Sequence, residues 1–207
     1  MTREPQRGNA DTESRILDVA ERLVQSRGFN GFSYADVSAE LKLSKASIHY
    51  HFPGKAELGE ALIARYAARF ADALEEIDRR VGDPAAKLEA YARIYADVLS
   101  DRRMCLCGML AADYDTLPKP MRVAVIRFFD DNEAWLTGVL EQGQEEGTLG
   151  LSGSANDSAQ ALVSGLEGAL LIARPYGDVA RFEAAATRLL TSLVGARSPD
   201  RTSPSRA

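Results

Sequence analysis

Two cysteines two residues apart, Cys105 and Cys107, are the only thiols in the chain and lie in an apolar run, Met104-Cys105-Leu106-Cys107-Gly108-Met109-Leu110-Ala111-Ala112. A thiol can act as a nucleophile, a metal ligand, half of a disulfide or a small buried hydrophobe. Two thiols are too few for a disulfide framework, and the second pair or the histidines of a zinc site are missing. No metal and no cofactor is expected. At i, i+2 on a helix the sulfurs diverge, so a bond between them requires local unwinding. A single modified cysteine is the chemistry that remains, against the plain alternative that both are core residues. Arg102 and Arg103 just upstream, and a helix N-terminus at Cys105, favour thiolate. A thiol-dependent enzyme also needs a general base near the sulfur, and both histidines, His49 and His51, lie far away in sequence.

The stretch from Ser33 to Phe52 carries a different chemistry. Ser44, Lys45, Ala46, Ser47, His49, Tyr50 and His51 are small, polar or aromatic hydrogen-bonding residues around one large apolar anchor, Ile48. Such a face suits a nucleic-acid groove and suits a core poorly. Two histidines at i, i+2 do not share a helix face, so they do not form a metal pair; they are surface residues or stand near DNA. Ser33 is a good N-cap for a short helix with Val37 and Leu41 four apart, and Ser44 is one for the next. Two short helices separated by about three residues read as a helix-turn-helix.

The elements that must hold these residues follow from apolar spacing. Thr12 to Arg27 places Ile16, Leu17, Ala20, Leu23 and Val24 on one side and Arg15, Glu21, Arg22 and Gln25 on the other, and Gly28 ends it. After the Pro53-Gly54 turn, Lys55 opens a helix to about Arg80 with Leu58, Leu62, Tyr66, Phe70, Ala73 and Ile77 on one stripe. No linker separates it from the head, so it can transmit a tilt. Gly82-Asp83-Pro84 starts a helix with Leu88, Tyr91, Ala92, Tyr95 and Leu99 together. The cysteine run follows, apolar on every side and so expected to be buried. From about Pro120 to Glu146, Met121, Val125, Phe128, Trp135 and Val139 share a face with Asn132 in its middle, and that amide needs a partner. Between Asp157 and Ala173 one face is large (Leu162, Val163, Leu166, Leu170) and the other small (Ser158, Ala161, Gly165, Gly168, Ala169), which allows close approach by a second helix. A last helix runs from about Val179 to Val194, and the Ser-, Pro- and Arg-rich end from 196 to 207 is expected to be disordered. No strand pattern appears; the chain reads as all-α, with a helix-turn-helix head over 1–54 joined by the long helix to a helical body over 55–195.

With 207 residues, the chain can bury a substantial core without disulfides or metal. Its polar start and the lack of any apolar run near the ~20 residues of a membrane span point to a cytoplasmic protein with no membrane partner. The net charge of −5 seems at odds with DNA binding. Counted by region, residues 1–55 hold eight basic and seven acidic side chains, whereas the remainder holds seventeen basic and twenty-three acidic. The acidity lies outside the head. A head of +1 is too weakly basic for a non-specific architectural DNA binder.

Phe32-Ser33-Tyr34-Ala35-Asp36-Val37, Leu43-Ser44-Lys45-Ala46-Ser47-Ile48, Tyr50-His51-Phe52 and Lys55-Ala56-Glu57-Leu58 resemble the N-terminal domain of the TetR family of bacterial transcriptional repressors. The resemblance implies a nine-helix subunit that forms a homodimer through its last two helices, with 1–54 as its DNA-binding domain and 55–195 as its effector-binding and dimerisation domain. It also implies binding to a roughly palindromic double-stranded operator, with recognition helices one turn (~34–36 Å) apart. By motif position, Lys45, Tyr50 and His51 would approach phosphates or base edges, Lys55 phosphate, and Ser33 and Tyr34 the DNA backbone. Ala46 and Ser47 would let the helix sit deep. Two departures stand out: Lys42 occupies a turn that often has Gly, and His49 a position often filled by Tyr. The family's effector pocket would fall among Tyr91, Tyr95, Phe128, Asn132 and Trp135. The cysteine run resembles the cysteine-bearing segment of NemR-type and AcuR-type repressors, which respond to reactive or unsaturated electrophiles; that adds Cys105 and Cys107 to the candidate effector site. The resemblance implies a repressor released from its operator by a small-molecule or electrophile effector, with a thiol-dependent enzyme as the rival.

Overall fold

The computed structural model describes residues 4–193. Among the described residues there are nine α-helices and no strand: α1 (Glu4–Arg27), α2 (Tyr34–Leu41), α3 (Lys45–His51), α4 (Lys55–Arg80), α5 (Pro84–Ser100), α6 (Leu106–Ala112), α7 (Lys119–Glu145), α8 (Ala155–Ala173) and α9 (Val179–Thr191). The all-helical expectation is met. Val194 and the tail from 196 to 207 lie outside the described residues.

Helix ends follow local chemistry. Ser44 caps α3 by accepting the Ser47 N–H at 3.1 Å, and Asp83, Ser154 and Asp178 cap α5, α8 and α9 in the same way. The first helix begins eight residues before its apolar periodicity does. Gly8 lies within this added stretch at a cost of about 1 kcal/mol relative to Ala, and Pro5 falls in the first turn, where a missing N–H leaves no hydrogen bond unmade. Gly28 ends α1 at φ +82, and a Cβ there would stand 3.0 Å from Asp113 Oδ2. That carboxylate accepts the Phe29 N–H at 2.7 Å, so the turn after α1 is tied to the chain after α6.

One continuous core runs from Ile16 in α1 to Ala186 in α9 and crosses the head–body boundary without a break. The α4 stripe supplies Leu58, Leu62, Tyr66, Phe70, Leu74 and Ile77 to it, with Ala73 only half-buried. In the cysteine run, Met104 to Cys107 and Leu110 are buried as expected, whereas Ala111 and Ala112 are exposed because α6 is only seven residues long and ends at the surface.

The polar side of α1 departs from the sequence reading. Glu21 is 5% exposed and Gln25 2%, because α4 and the segment before α6 pack on that side too. Glu21 lies between two guanidinium groups, with Arg65 at 2.9 Å and Arg69 on its other oxygen, and Arg65 also holds Asp18 at 2.8 Å. A carboxylate buried to this degree needs such partners; leaving it unpaired costs several kcal/mol. Gln25 Oε1 accepts from Arg103, and its backbone carbonyl accepts the Met104 N–H at 3.1 Å. From the far end of the chain, Arg174 donates to the Ser26 carbonyl.

The turn between α2 and α3 resolves the first departure from the family pattern. Lys42 adopts φ 56 and ψ 36, the left-handed conformation, as the C-cap of α2. A side chain with a Cβ is strained there by roughly 1 kcal/mol. Lys42 is exposed and tied into no ion pair, so Lys42→Gly should raise the urea midpoint, with a gain of up to about 1 kcal/mol; an unchanged or lower midpoint would contradict the strain.

Candidate nucleic-acid interface and effector site

The helix-turn-helix is locked from within by side chains that the motif assigned to DNA. The Tyr34 hydroxyl donates to the carbonyls of Phe52 at 2.9 Å and Gly54 at 2.7 Å, so it closes the turn after α3. Burial, reinforced by Glu57, pushes its pKa up to about 12. Lys55 turns inward as well. Its ammonium donates to the carbonyls of Phe29 and Phe32 and stands 4.7 and 4.3 Å from their ring centroids, and burial pulls its pKa down. Both fasten α4 to the head, since two carbonyls and two rings satisfy the half-buried cation at this joint, and both keep part of their surface open beside Ser33 and Lys45. Ser33 is exposed, and its N–H and hydroxyl both donate to Asp36 Oδ2 at 2.8 and 2.7 Å.

What remains outward on α3 is a reading edge. Lys45, Ala46, His49 and Tyr50 are exposed, with Tyr50 at 75%, while Ser47 and His51 are half-buried and Ile48 is fully buried against the head. Tyr50 and His51 meet edge to face at 5.4 Å. His49 packs on the Tyr34 ring at 4.7 Å, and its Nδ1 lies 3.1 Å from the Pro53 carbonyl, which fixes the ring. A cleft of about 410 Å³ between Ser33, Tyr34, Lys45 and His49 separates the N-termini of α2 and α3. Arg22 pairs with Glu40 and Arg27 with Asp36, which holds α1 to α2.

In the body, the predicted aromatic residues come together. Tyr91 stacks on Trp135 at 5.7 Å, Phe128 meets Phe70 at 5.1 Å and Tyr66 at 5.6 Å, and the Tyr91 and Tyr95 hydroxyls are 3.1 Å apart. Asn132 is satisfied at both ends, donating to the Phe128 carbonyl at 2.6 Å and accepting from Tyr91 at 3.3 Å. It is a core amide that orders this cluster. Trp135 is half-buried and donates to Asp78 at 2.8 Å. A groove of about 670 Å³ between α5 and α9 lies apart from these residues.

Cys105 and Cys107 are 1% and 0% exposed. Cys105 is the N-cap of α6, its sulfur accepting the Gly108 N–H at 3.5 Å and the Tyr66 hydroxyl at 3.6 Å. The helix N-terminus inferred from sequence is present, but the arginines do not reach it: Arg103 pairs with Asp101 and Gln25, and Arg102 is exposed in a left-handed turn. Both thiols are held well above their ordinary range, first by burial and then by Glu167. The expected thiolate is thus corrected to a neutral thiol.

Glu167 is the residue that the sequence reading missed. It is on α8, its Oε1 is fully buried without a hydrogen-bond partner, and its carboxyl is within hydrogen-bonding reach of Cys105. Gly108 makes the approach possible, because a Cβ there would stand 2.3 Å from Glu167 Oε2. Burial raises the Glu167 pKa to about 7, opposed only by the bond to Cys105. Its signal in the sequence is a lone carboxylate between Leu166 and Gly168, inside an otherwise apolar and small-residue helix. Among the described residues no cluster of His, Cys, Asp and Glu could hold a metal ion, and no helix is long and apolar enough to cross a membrane.

A head of one long and two short helices, a spine helix shared with an all-helical body and an exposed polar and aromatic edge on α3 define a DNA-binding transcriptional regulator. The family model described as bacterial regulatory proteins, tetR family, matches residues 16–62, and the tetracyclin repressor-like C-terminal domain matches residues 84–189. The chain belongs to the TetR family. It is 27% identical to the transcriptional regulator AcuR of Cereibacter sphaeroides over 78% of this chain and 75% of that protein. It is also 27% identical to the transcriptional repressor NemR of Escherichia coli over 79% of this chain and 84% of that one. A TetR-family regulator from Agrobacterium tumefaciens superposes with a TM-score of 0.87 at 33% identity, covering 90% of this chain and all of that one. The reduced form of E. coli NemR superposes at 0.78 with 26% identity, covering 88% and 97%.

Glu167 makes stability depend on pH. An acid whose pKa is higher in the folded than in the unfolded chain favours folding least when ionised. Its penalty is absent below the ordinary value of 4.5, grows as pH rises, and is complete above about 7, where it reaches on the order of 3 kcal/mol. Urea midpoints of the wild type and Glu167→Gln, at one protein concentration, should coincide near pH 4 and diverge by pH 8 with the variant higher. Parallel curves would contradict the uncompensated carboxyl.

Proposed function

We propose that the chain is a sequence-specific DNA-binding repressor that binds its operator as a dimer and is released when an electrophilic small molecule adds to Cys105. The observation that carries this reading is the joint beside that cysteine. Met104, its neighbour, donates its N–H to the Gln25 carbonyl on α1, and α1 packs on both the reading head and the spine helix α4. A group added at Cys105 has no free volume to occupy, since Tyr66, Gly108 and Glu167 surround the sulfur. It must move α6, and with it the support of α1. The head then tilts, and two recognition helices set one DNA turn (~34–36 Å) apart no longer match consecutive grooves. To shift the population from 1:99 to 99:1 the adduct must favour the released form by ~5.5 kcal/mol, which two subunits share. Cys107 is fully buried and serves as core.

The exposed side of α8 supports dimerisation through α8 and α9. Leu171 and Ile172 are each 56% exposed, and the space above Gly168 is open. By contrast Gly165 already receives Leu189 of α9 within the subunit. An apolar strip with small residues suits close helix packing by a second copy. The aromatic cluster around Tyr91 backs the Cys105 site through Tyr66, whose ring meets Phe128 and whose hydroxyl meets the Cys105 sulfur. A regulator that reads the chromosome works in the cytoplasm. The enzyme alternative finds no support in the matched family models, which describe regulatory and repressor-like domains over both the head and the body.

A gel shift on the protein's own promoter, with and without methyl vinyl ketone, tests the reading. The wild type and Cys107→Ala should shift the DNA and lose it on treatment, whereas Cys105→Ala should stay bound. Absence of a sequence-specific shift would sink the repressor, and release of Cys105→Ala would sink the assignment to Cys105. For the reading edge, Lys45→Ala should weaken operator binding and lower the slope of log K against log salt by about 1. Tyr50→Ala should reduce affinity at least tenfold while leaving stability within about 0.5 kcal/mol; full affinity in both would remove α3 from the interface.

A further inference from the structure

The reading of Cys105 as an electrophile target leaves a chemical gap: a buried neutral thiol reacts slowly, because the thiolate is the nucleophile. The surroundings of the sulfur supply what is missing. Glu167 brings a carboxyl from α8 to the N-cap turn of α6, Gly108 leaves the room for it, and one of its oxygens is buried with no partner. The other groups facing this carboxyl are the thiols of Cys105 and Cys107 on α6, Tyr66 on α4, and Tyr91 and Tyr95 on α5. Each is an acid that stays neutral near pH 7, and none is a cation that would hold the carboxylate in place. A packing device would pair such a group; here it is set beside a thiol and left one donor short.

We propose that Glu167 is the proton acceptor for Cys105, taking the thiol proton as the sulfur adds to an electron-poor carbon–carbon double bond. Resting on the electrophile reading above, this names the effector class as α,β-unsaturated carbonyl compounds. The balance closes without an oxidant. The Sγ–H bond breaks toward the Glu167 carboxylate as Sγ bonds to the β-carbon. The π pair moves to the α-carbon as an enolate, and the enolate takes up one proton, from Glu167 or from water that Glu167 in turn protonates. Glu167 ends ionised and the thioether stays on the protein, so the event is a stoichiometric switch. The reach of the carboxyl over Gly108, and not an arginine or a histidine, sets the reactivity of this cysteine. Because Cys105 is buried, α6 must first part from α8, and an uncompensated carboxylate between them eases that opening when ionised.

The test follows methyl vinyl ketone addition by intact-protein mass spectrometry on the full chain, in a Cys107→Ala background so that one thiol is counted. Amide exchange over residues 105–112 is measured in parallel. The Cys107→Ala protein should add one equivalent at a rate that steps up between pH 6 and 8 and then levels. Glu167→Gln should lose the step and react at least tenfold slower at pH 7.5, beyond any change in amide exchange. Glu167→Asp, which keeps the acid but retracts it, should keep the step at a reduced rate, and stands in should the glutamine variant not fold. An unchanged rate and profile in Glu167→Gln, or a loss wholly matched by slower amide exchange, would overturn the role of Glu167 while leaving the adduct intact. No adduct on Cys105, with operator binding unaffected, would instead overturn the electrophile reading itself.

Discussion

A buried carboxylate between two arginines, Glu21 with Arg65 and Arg69, is the interaction on which the arrangement of this protein depends. It fixes α1 against α4 at a point where neither partner can leave without stranding charge in a low-dielectric joint. Everything that faces DNA is then referred to that joint. Arg22 and Arg27 hold α2 on one side of α1, Lys55 and Tyr34 close the head onto the start of α4, and Gln25 receives the segment that leads into α6. The head is therefore a rigid attachment whose polar ties to the body run along α1 from Asp18 to Ser26 and into the turn that follows it.

The fold was legible in the sequence because its signals are periodic and local. The stripe Leu58, Leu62, Tyr66, Phe70 and Ile77 specifies α4, and Ser44, Asp83 and Gly28 mark ends that caps require. The outward edge of α3 was legible in the same way, since small and polar residues around a single Ile48 leave only one face to bury. What the pattern hid were side chains with two uses. Glu21 and Gln25 look like solvent-facing polar residues until Arg65, Arg69 and Arg103 arrive from helices far along the chain. Tyr34 and Lys55 occupy motif positions, yet their hydrogens also go to carbonyls of turns 18 to 26 residues away, Phe52 and Gly54 for Tyr34 and Phe29 and Phe32 for Lys55. Glu167 was invisible because one carboxylate in an apolar helix has no local partner to reveal its role; its meaning appears only when Gly108 is placed against it.

The body of the protein contrasts two ways of burying polarity. Around Tyr91, every hydrogen-bonding group finds another: Tyr95, Asn132 and the Phe128 carbonyl form a closed chain under a shell of rings. Satisfied networks of this kind rigidify a core. Around Cys105 the network is left open, with an unpartnered oxygen and two thiols against an aromatic wall. Rigid support next to an unsatisfied cluster confines movement to the short helix α6, which has seven residues and no large face of its own.

The ties that complete the head also set the order in which the chain can finish folding. Phe29 is bonded to Asp113 and Asn30 to Thr116, 84 and 86 residues later, and the Ser26 carbonyl waits for Arg174, 148 residues later. A ribosome releases the reading head early, but these supports emerge only with the second half of the chain, and long-range contacts form late in any case. Assembly of a finished DNA-reading surface is thus coupled to synthesis of α6 and α8, so a truncated chain holds the motif without the frame that orients it.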